Sequence, residues 1–113
     1  MEEKKTKKKK IIEDALSLEK SGVFSIVIEA TLKQLADKII SKIDIPTIGI
    51  GASENCPGQI LVLDDIIGLT DFDAKFIRKY SNVKKNITEA IRKYSCDVRE
   101  KKFPRKTNLY IPE

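Results

Sequence analysis

Three short apolar runs constrain this chain more than anything else in it. Val23 to Ile28, Thr47-Ile48-Gly49-Ile50-Gly51 and Ile60-Leu61-Val62-Leu63 carry branched residues with no regular polar alternation. A strand wetted on one face alternates; one buried on both faces reads as a continuous apolar run. Between the first two runs, Leu32, Leu35, Ala36, Ile39, Ile40 and Ile43 step by three and four, the spacing of an amphipathic helix. Strand, helical crossover, strand predicts a parallel sheet with right-handed connections. Such sheets present their chemistry beyond the carboxyl ends of the strands. Glu29 closes the first run and Asp64-Asp65 the third, which makes them candidate strand-tip acids.

Each candidate also has a plainer reading. Glu29 can cap a turn or pair with a lysine, and Asp64-Asp65 can open a helix. Gly49 and Gly51 suggest a phosphate loop, but Glu54 stands where a third glycine is needed and the order is strand to loop, so that reading fails. Close approach of backbone or substrate suits these glycines better.

The rest of the pattern is helical. Ile11, Ile12, Ala15 and Leu16 predict a helix over about residues 3–20, stopped by Ser21-Gly22. Thr31 and Gln34 fit a capping box ahead of the second helix, and Pro46 prevents its continuation. A short helix is predicted over 73–80. Val83, Ile87, Ala90, Ile91, Tyr94 and Val98 predict a longer one ending near Lys102, and residues 105–113 read as an irregular tail. The predicted organisation is one α/β domain over 1–113.

Composition narrows the chemistry. The chain has 113 residues, is 41% hydrophobic and contains no His or Trp, so its core must be aliphatic. Without His, neither a Ser-His-Asp arrangement nor a His-ligated metal can be assembled from it. No apolar run approaches the roughly 18 residues of a membrane span. Cys56 and Cys96, 40 residues apart, lack the spacing of a paired-thiol motif and read as reduced thiols. A soluble cytoplasmic protein is expected. Residues 1–10 carry a local +4 of the total +5. "KKTKKKK" suggests a nucleic-acid or acidic-membrane tail, but no Arg or aromatic is interleaved to read bases, and a solvated helix start is preferred.

The phrases "SLEKSGVFSIVIEA", "IPTIGIGAS" and "CPGQILVLDDIIGL" together resemble the carboxy-terminal part of the ketopantoate hydroxymethyltransferase family, with likeness over roughly residues 5–104. The resemblance implies a (β/α)8 TIM barrel of which this chain supplies the last three parallel strands with their flanking helices. It also implies magnesium, a homo-oligomer, and one-carbon transfer from 5,10-methylenetetrahydrofolate to the oxoacid 2-oxoisovalerate. Glu29 matches the family's glutamate at the tip of the sixth strand, implicated as the general base that removes the C3 proton. Held half out of water, such a carboxylate becomes a better base.

A full barrel takes about 250 residues. The family's magnesium-binding aspartates and its substrate-contacting serine and lysine fall in the part this chain lacks. No metal ligand is therefore assigned here, and cofactor-binding residues stay unassigned. Leu32 replaces the usual Pro, Asp64 the usual His or Asn, and Arg105-Lys106-Thr107-Asn108 the usual Gly-Glu-Glu-His. The expectation is a truncated or split enzyme, inactive alone and completed by a separately encoded amino-terminal fragment. The competing class is a non-enzymatic remnant or small binding module that keeps the partial fold.

Overall fold

The computed structural model describes residues 1–112; Glu113, the end of the predicted tail, lies outside the described residues. The chain forms two compact units, one of residues 1–62 with 73–78, the other of 63–72 with 79 onward.

The first unit carries the sheet. Helix α1 (Glu2–Lys20) opens with Glu2 and Glu3, whose charges suit the positive end of the helix dipole. It ends as predicted: Ser21 closes it, and Gly22 takes φ +94°, a conformation that costs glycine least. The Glu19 carboxylate then accepts from the backbone N–H of Asp44 at 2.6 Å and of Ile45 at 3.2 Å. That ties the end of α1 to the segment leading into the second strand.

Strand β1 (Ile26–Glu29) is followed by α2 (Lys33–Lys42) and β2 (Thr47–Ile50). The α2 stripe forms as its spacing requires, burying Leu35, Ala36 and Ile39 while Leu32 stays exposed. Its predicted capping box does not form. Leu32 is the N-cap, and the Thr31 hydroxyl instead donates to the Glu29 carbonyl at 3.1 Å, because the chain must first turn off the strand tip. Ala15, Ile28, Ala36, Ile39, Ile43 and Ala52 make an aliphatic core, with Ile12, Ile26 and Ile45 packed on it. The core lies between the two helices and one side of the sheet.

The sheet is parallel in the order β1-β2-β3, with β1 and β3 as free edges. This is the α/β arrangement that the runs predicted, in an open three-stranded form. Strand β1 departs from its reading as a strand buried on both faces. Ile28 is 5% exposed but Val27 is 53% exposed, since within its unit the helices pack on the Ile28 side of the sheet.

The third strand is displaced. β3 is Gly58–Gln59, pairing with Ile48 and Gly49, rather than Ile60–Leu63. β2 stops at Ile50 and Gly51 turns left-handed at φ +62°, so residues beyond Ile60 find no ladder partner there. Residues 63–66 form the short helix α3 (Leu63–Ile66) instead, in the second unit.

The helix predicted over 73–80 is also absent. Only a turn at 75–76 forms, and Phe76 packs over Gly51 so closely that a Cβ there would lie 2.1 Å from the phenylalanine Cβ. That contact pulls the segment out of helical phase and leaves Gly51 no room for a side chain.

In the second unit, α4 (Val83–Arg99) is capped by Asn82, whose side-chain oxygen accepts from the Lys85 N–H at 3.2 Å. No α4 residue is buried, so Ile87, Ile91, Tyr94 and Val98 form an uncovered stripe. It ends at Arg99, short of the predicted Lys102, with Lys101 at φ +58° breaking the helical path. In the tail, a single 3-10 turn spans Lys106–Asn108. Among the described residues, no helix is long and apolar enough to cross a membrane.

Candidate functional site

The candidate site lies at the carboxyl ends of β1 and β2. Glu29 is the last residue of β1 and pairs in register with Ile50, the last of β2. Its backbone is clamped on two sides: Ala30 N–H donates to the Ile50 carbonyl at 2.9 Å, and the Thr31 hydroxyl donates to the Glu29 carbonyl. Between them Ala30 sits at φ +46°, a left-handed turn uncommon for a residue with a Cβ. The strand therefore ends abruptly at the acid.

Alternation decides where the side chain points. Ile26 and Ile28 face the core, so Val27 and Glu29 occupy the opposite side of the sheet. Residues paired in register share a face, so Ile48 and Ile50 lie beside Val27 and Glu29. The carboxylate makes no hydrogen bond or ion pair with any described residue and is exposed to solvent. The expectation that it is held half out of water is corrected on this point, because the helices that pack on the sheet in its own unit lie on the opposite side, with Ile26 and Ile28.

Asp64 and Asp65 are not strand-tip residues. They fall in the first turn of α3, where acids favour the helix dipole. Asp65 is buried, and its carboxylate accepts from the Thr70 hydroxyl at 3.2 Å. It stabilises a local turn, the plainer of its two readings.

A polar cluster that sequence reasoning passed over sits at the same end of the sheet as Glu29. Asp37 on α2 accepts from the Ser53 hydroxyl at 2.5 Å and from the Asn55 amide at 3.0 Å. Lys33 bridges Asp37 at 3.1 Å and Glu54 at 2.8 Å. The hydrogen bonds from Ser53 and Asn55, helped by Lys33, hold the Asp37 carboxyl down at about 2. Glu54 and Asp37 in turn raise the Lys33 ammonium. The cluster fastens the loop after β2 to the helix after β1. Its one legible signal was the polar triplet Ser53-Glu54-Asn55 following a buried strand.

Cys56 is buried behind Gly49, and Cys96 is exposed on α4; both are free thiols. The lysines of 4–10 lie exposed along α1; Lys5, Lys8 and Lys9 join Lys38 around a shallow groove. Among the described residues, no three His, Cys, Asp or Glu side chains converge as a metal site requires. The magnesium implied by the resemblance therefore finds no fitting set of ligands among the described residues.

Three parallel strands with flanking helices, an acid closing the first strand and a braced loop after the second define the class: an α/β protein with a parallel sheet. The model of the ketopantoate hydroxymethyltransferase family matches residues 1–106, and the chain belongs to that family. It is 48% identical over 103 residues to the 3-methyl-2-oxobutanoate hydroxymethyltransferase of Pelagibacter ubique, with 91% of this chain and 40% of the relative covered. It is 45% identical over 108 residues to that of Thermosipho melanesiensis, covering 95% and 41%. The Saccharolobus islandicus protein is 46% identical over 102 residues, covering 90% and 38%. The chain thus spans about 40% of the length of these curated relatives.

Proposed function

We propose that this chain is one part of a 3-methyl-2-oxobutanoate hydroxymethyltransferase of pantothenate biosynthesis and supplies its general base, Glu29. The observation that carries the reading is the placement of Glu29: last residue of a parallel strand, backbone clamped, carboxylate free of internal partners. A carboxylate bound to no lysine can accept a proton. In this reading Glu29 takes the C3 proton of the oxoacid 2-oxoisovalerate, the resulting enolate carbon bonds to the methylene carbon of 5,10-methylenetetrahydrofolate as that carbon's bonds to the two folate nitrogens break, water supplies the hydroxyl oxygen, and tetrahydrofolate leaves with its nitrogens protonated. General-base catalysis of this kind contributes about 10²–10⁴-fold. Among the described residues no cation site serves this step, and alone the chain is expected to turn over little or no substrate.

One observation favours a second reading, a binding module that keeps the fold without chemistry. Glu29 is exposed, whereas a working base is sheltered from water.

The test supplies the missing portion. The full 113-residue chain is combined with the amino-terminal part of the Thermosipho melanesiensis relative, and loss of the C3 proton of 2-oxoisovalerate into deuterated water is followed by proton NMR. Exchange is expected for the mixture, with a drop of about 100-fold or more for Glu29→Gln. Equal exchange by the variant would remove Glu29 from the role, and exchange by the chain alone would refute the claim that it is incomplete.

A further inference from the structure

We infer that the groove between α1 and α2 is a binding site for a small amphiphilic anion, a phosphate monoester carried on a short apolar body. All the residues involved belong to one compact unit, and the site is independent of the role given to Glu29.

The two helices pack closely where Ala15, Ala36 and Ile39 share the core. Nearer their amino ends the α1 row changes from apolar to lysine, and a cavity of about 300 Å³ opens between them. That volume is at the lower end of the range for small-molecule sites. On α1, residues 5, 8, 9 and 12 recur by three and four and so share the face that lines the cavity. On α2, Leu32, Leu35 and Lys38 do the same at steps of three.

Floor and rim differ in chemistry. Leu35 is buried and Ile12 half-buried, while Leu32 leaves 62% of its surface exposed as a wall. Lys5, Lys8, Lys9 and Lys38 stand around them. Among the described residues the ammonium groups of Lys5, Lys8 and Lys38 make no ion pair. Lys9 approaches Glu13 at 3.9 Å, with both side chains well exposed, and an exposed pair of this kind is weak. None of the lining residues carries a carboxylate. Gln34 adds an amide donor in the first turn of α2, which starts at the groove without a side-chain cap.

Charge and shape select the ligand. A phosphate monoester carries about −1.5 to −2 at neutral pH, and lysine binds phosphate as a point charge. Inorganic phosphate would leave Leu32, Leu35 and Ile12 without a partner. A second copy of the chain, at net +5, would set lysines against lysines. Single-stranded nucleic acid binds on aromatic rings, and none lines the groove. A membrane surface needs one apolar helix face with charge opposite, whereas the lysines of α1 recur at 4, 5, 7, 8, 9 and 10, on all sides of the helix.

The experiment titrates the full, isotopically labelled chain with hexyl phosphate and follows amide shifts by NMR. Inorganic phosphate, 1-hexanol and vesicles of phosphatidylcholine with phosphatidylglycerol are the comparison probes. Saturable 1:1 binding is expected, with shifts centred on Ile12, Gln34, Leu35 and Lys38. Its affinity should exceed that for inorganic phosphate and for hexanol by about 10-fold or more. Lys5→Gln combined with Lys8→Gln should weaken it about 10-fold. Lys7→Gln combined with Lys10→Gln, the same charge change outside the groove, should bind as the parent does. Leu32→Ser, which supplies a favourable N-cap to α2, should bring hexyl phosphate down towards inorganic phosphate. These positions are exposed, so circular dichroism should match the parent throughout. Equal affinity for hexyl phosphate and inorganic phosphate, the mark of an adventitious counterion, overturns the inference. Equal losses in the two lysine pairs, shifts confined to other residues, or binding to vesicles alone overturn it too. Glu29→Gln should bind hexyl phosphate unchanged, which separates this site from the catalytic reading.

Discussion

Thr47 shows how a single side chain can be at odds with its surroundings. It starts β2, is 1% exposed, and among the described residues its hydroxyl finds no hydrogen-bond partner. A buried hydroxyl without a partner costs about 1–3 kcal/mol by mutational measure. Thr47→Val, which keeps the shape and removes the polar atom, is expected to stabilise the chain by about 1 kcal/mol, read as a raised denaturation midpoint with an unchanged m-value. A lowered midpoint would mean the hydroxyl is satisfied in solution. Glu29 is the opposite case: a polar group at a strand end with every freedom to act. Its residue type and place at the end of an apolar run were legible in the sequence. Its exposure was not, because exposure depends on what covers the far side of the sheet.

At the scale of elements, α2 and the loop after β2 behave as one piece. Asp37 joins them through Ser53, Asn55 and Lys33, and it is ionised down to about 2 against the usual 3.8. A carboxyl depressed in the folded state stabilises fully above its unfolded value, and that contribution fades as pH falls from about 4 through 2. The melting temperature should therefore drop more steeply between pH 4 and pH 2 in the parent than in Asp37→Asn. Parallel slopes for the two proteins would show that the cluster is not coupled to folding. The helical phases of α1, α2 and α4 were legible because a 3.6-residue period is local. The capping box, the third strand and the 73–80 helix were not. Each depended on a partner distant in sequence: Ile50 for the turn at Thr31, Ile48 for Gly58, and Gly51 for Phe76.

For the whole molecule, the aliphatic core serves α1, α2 and the sheet, while α4 buries no residue. Local stability should follow burial. Native-state hydrogen exchange is expected to show the slowest amides in β1, β2 and α2 and markedly faster exchange along α4. Uniform protection across both units would contradict this.

The sequence by itself determined the alternation of helices and apolar runs, the parallel character of the sheet, the family, and the acid at the tip of β1. The family is legible in the phrases the chain shares with it; the rest follows from periodicity and residue type, which act over a few neighbouring residues. Only the tertiary structure decided where β3 pairs, that Asp65 bonds to Thr70 within its own turn, that Asp37 braces the loop after β2, and that Glu29 lies exposed on the side of the sheet opposite the aliphatic core. Those outcomes depend on register and packing between distant segments, where a shift of one residue exchanges the two faces of a strand.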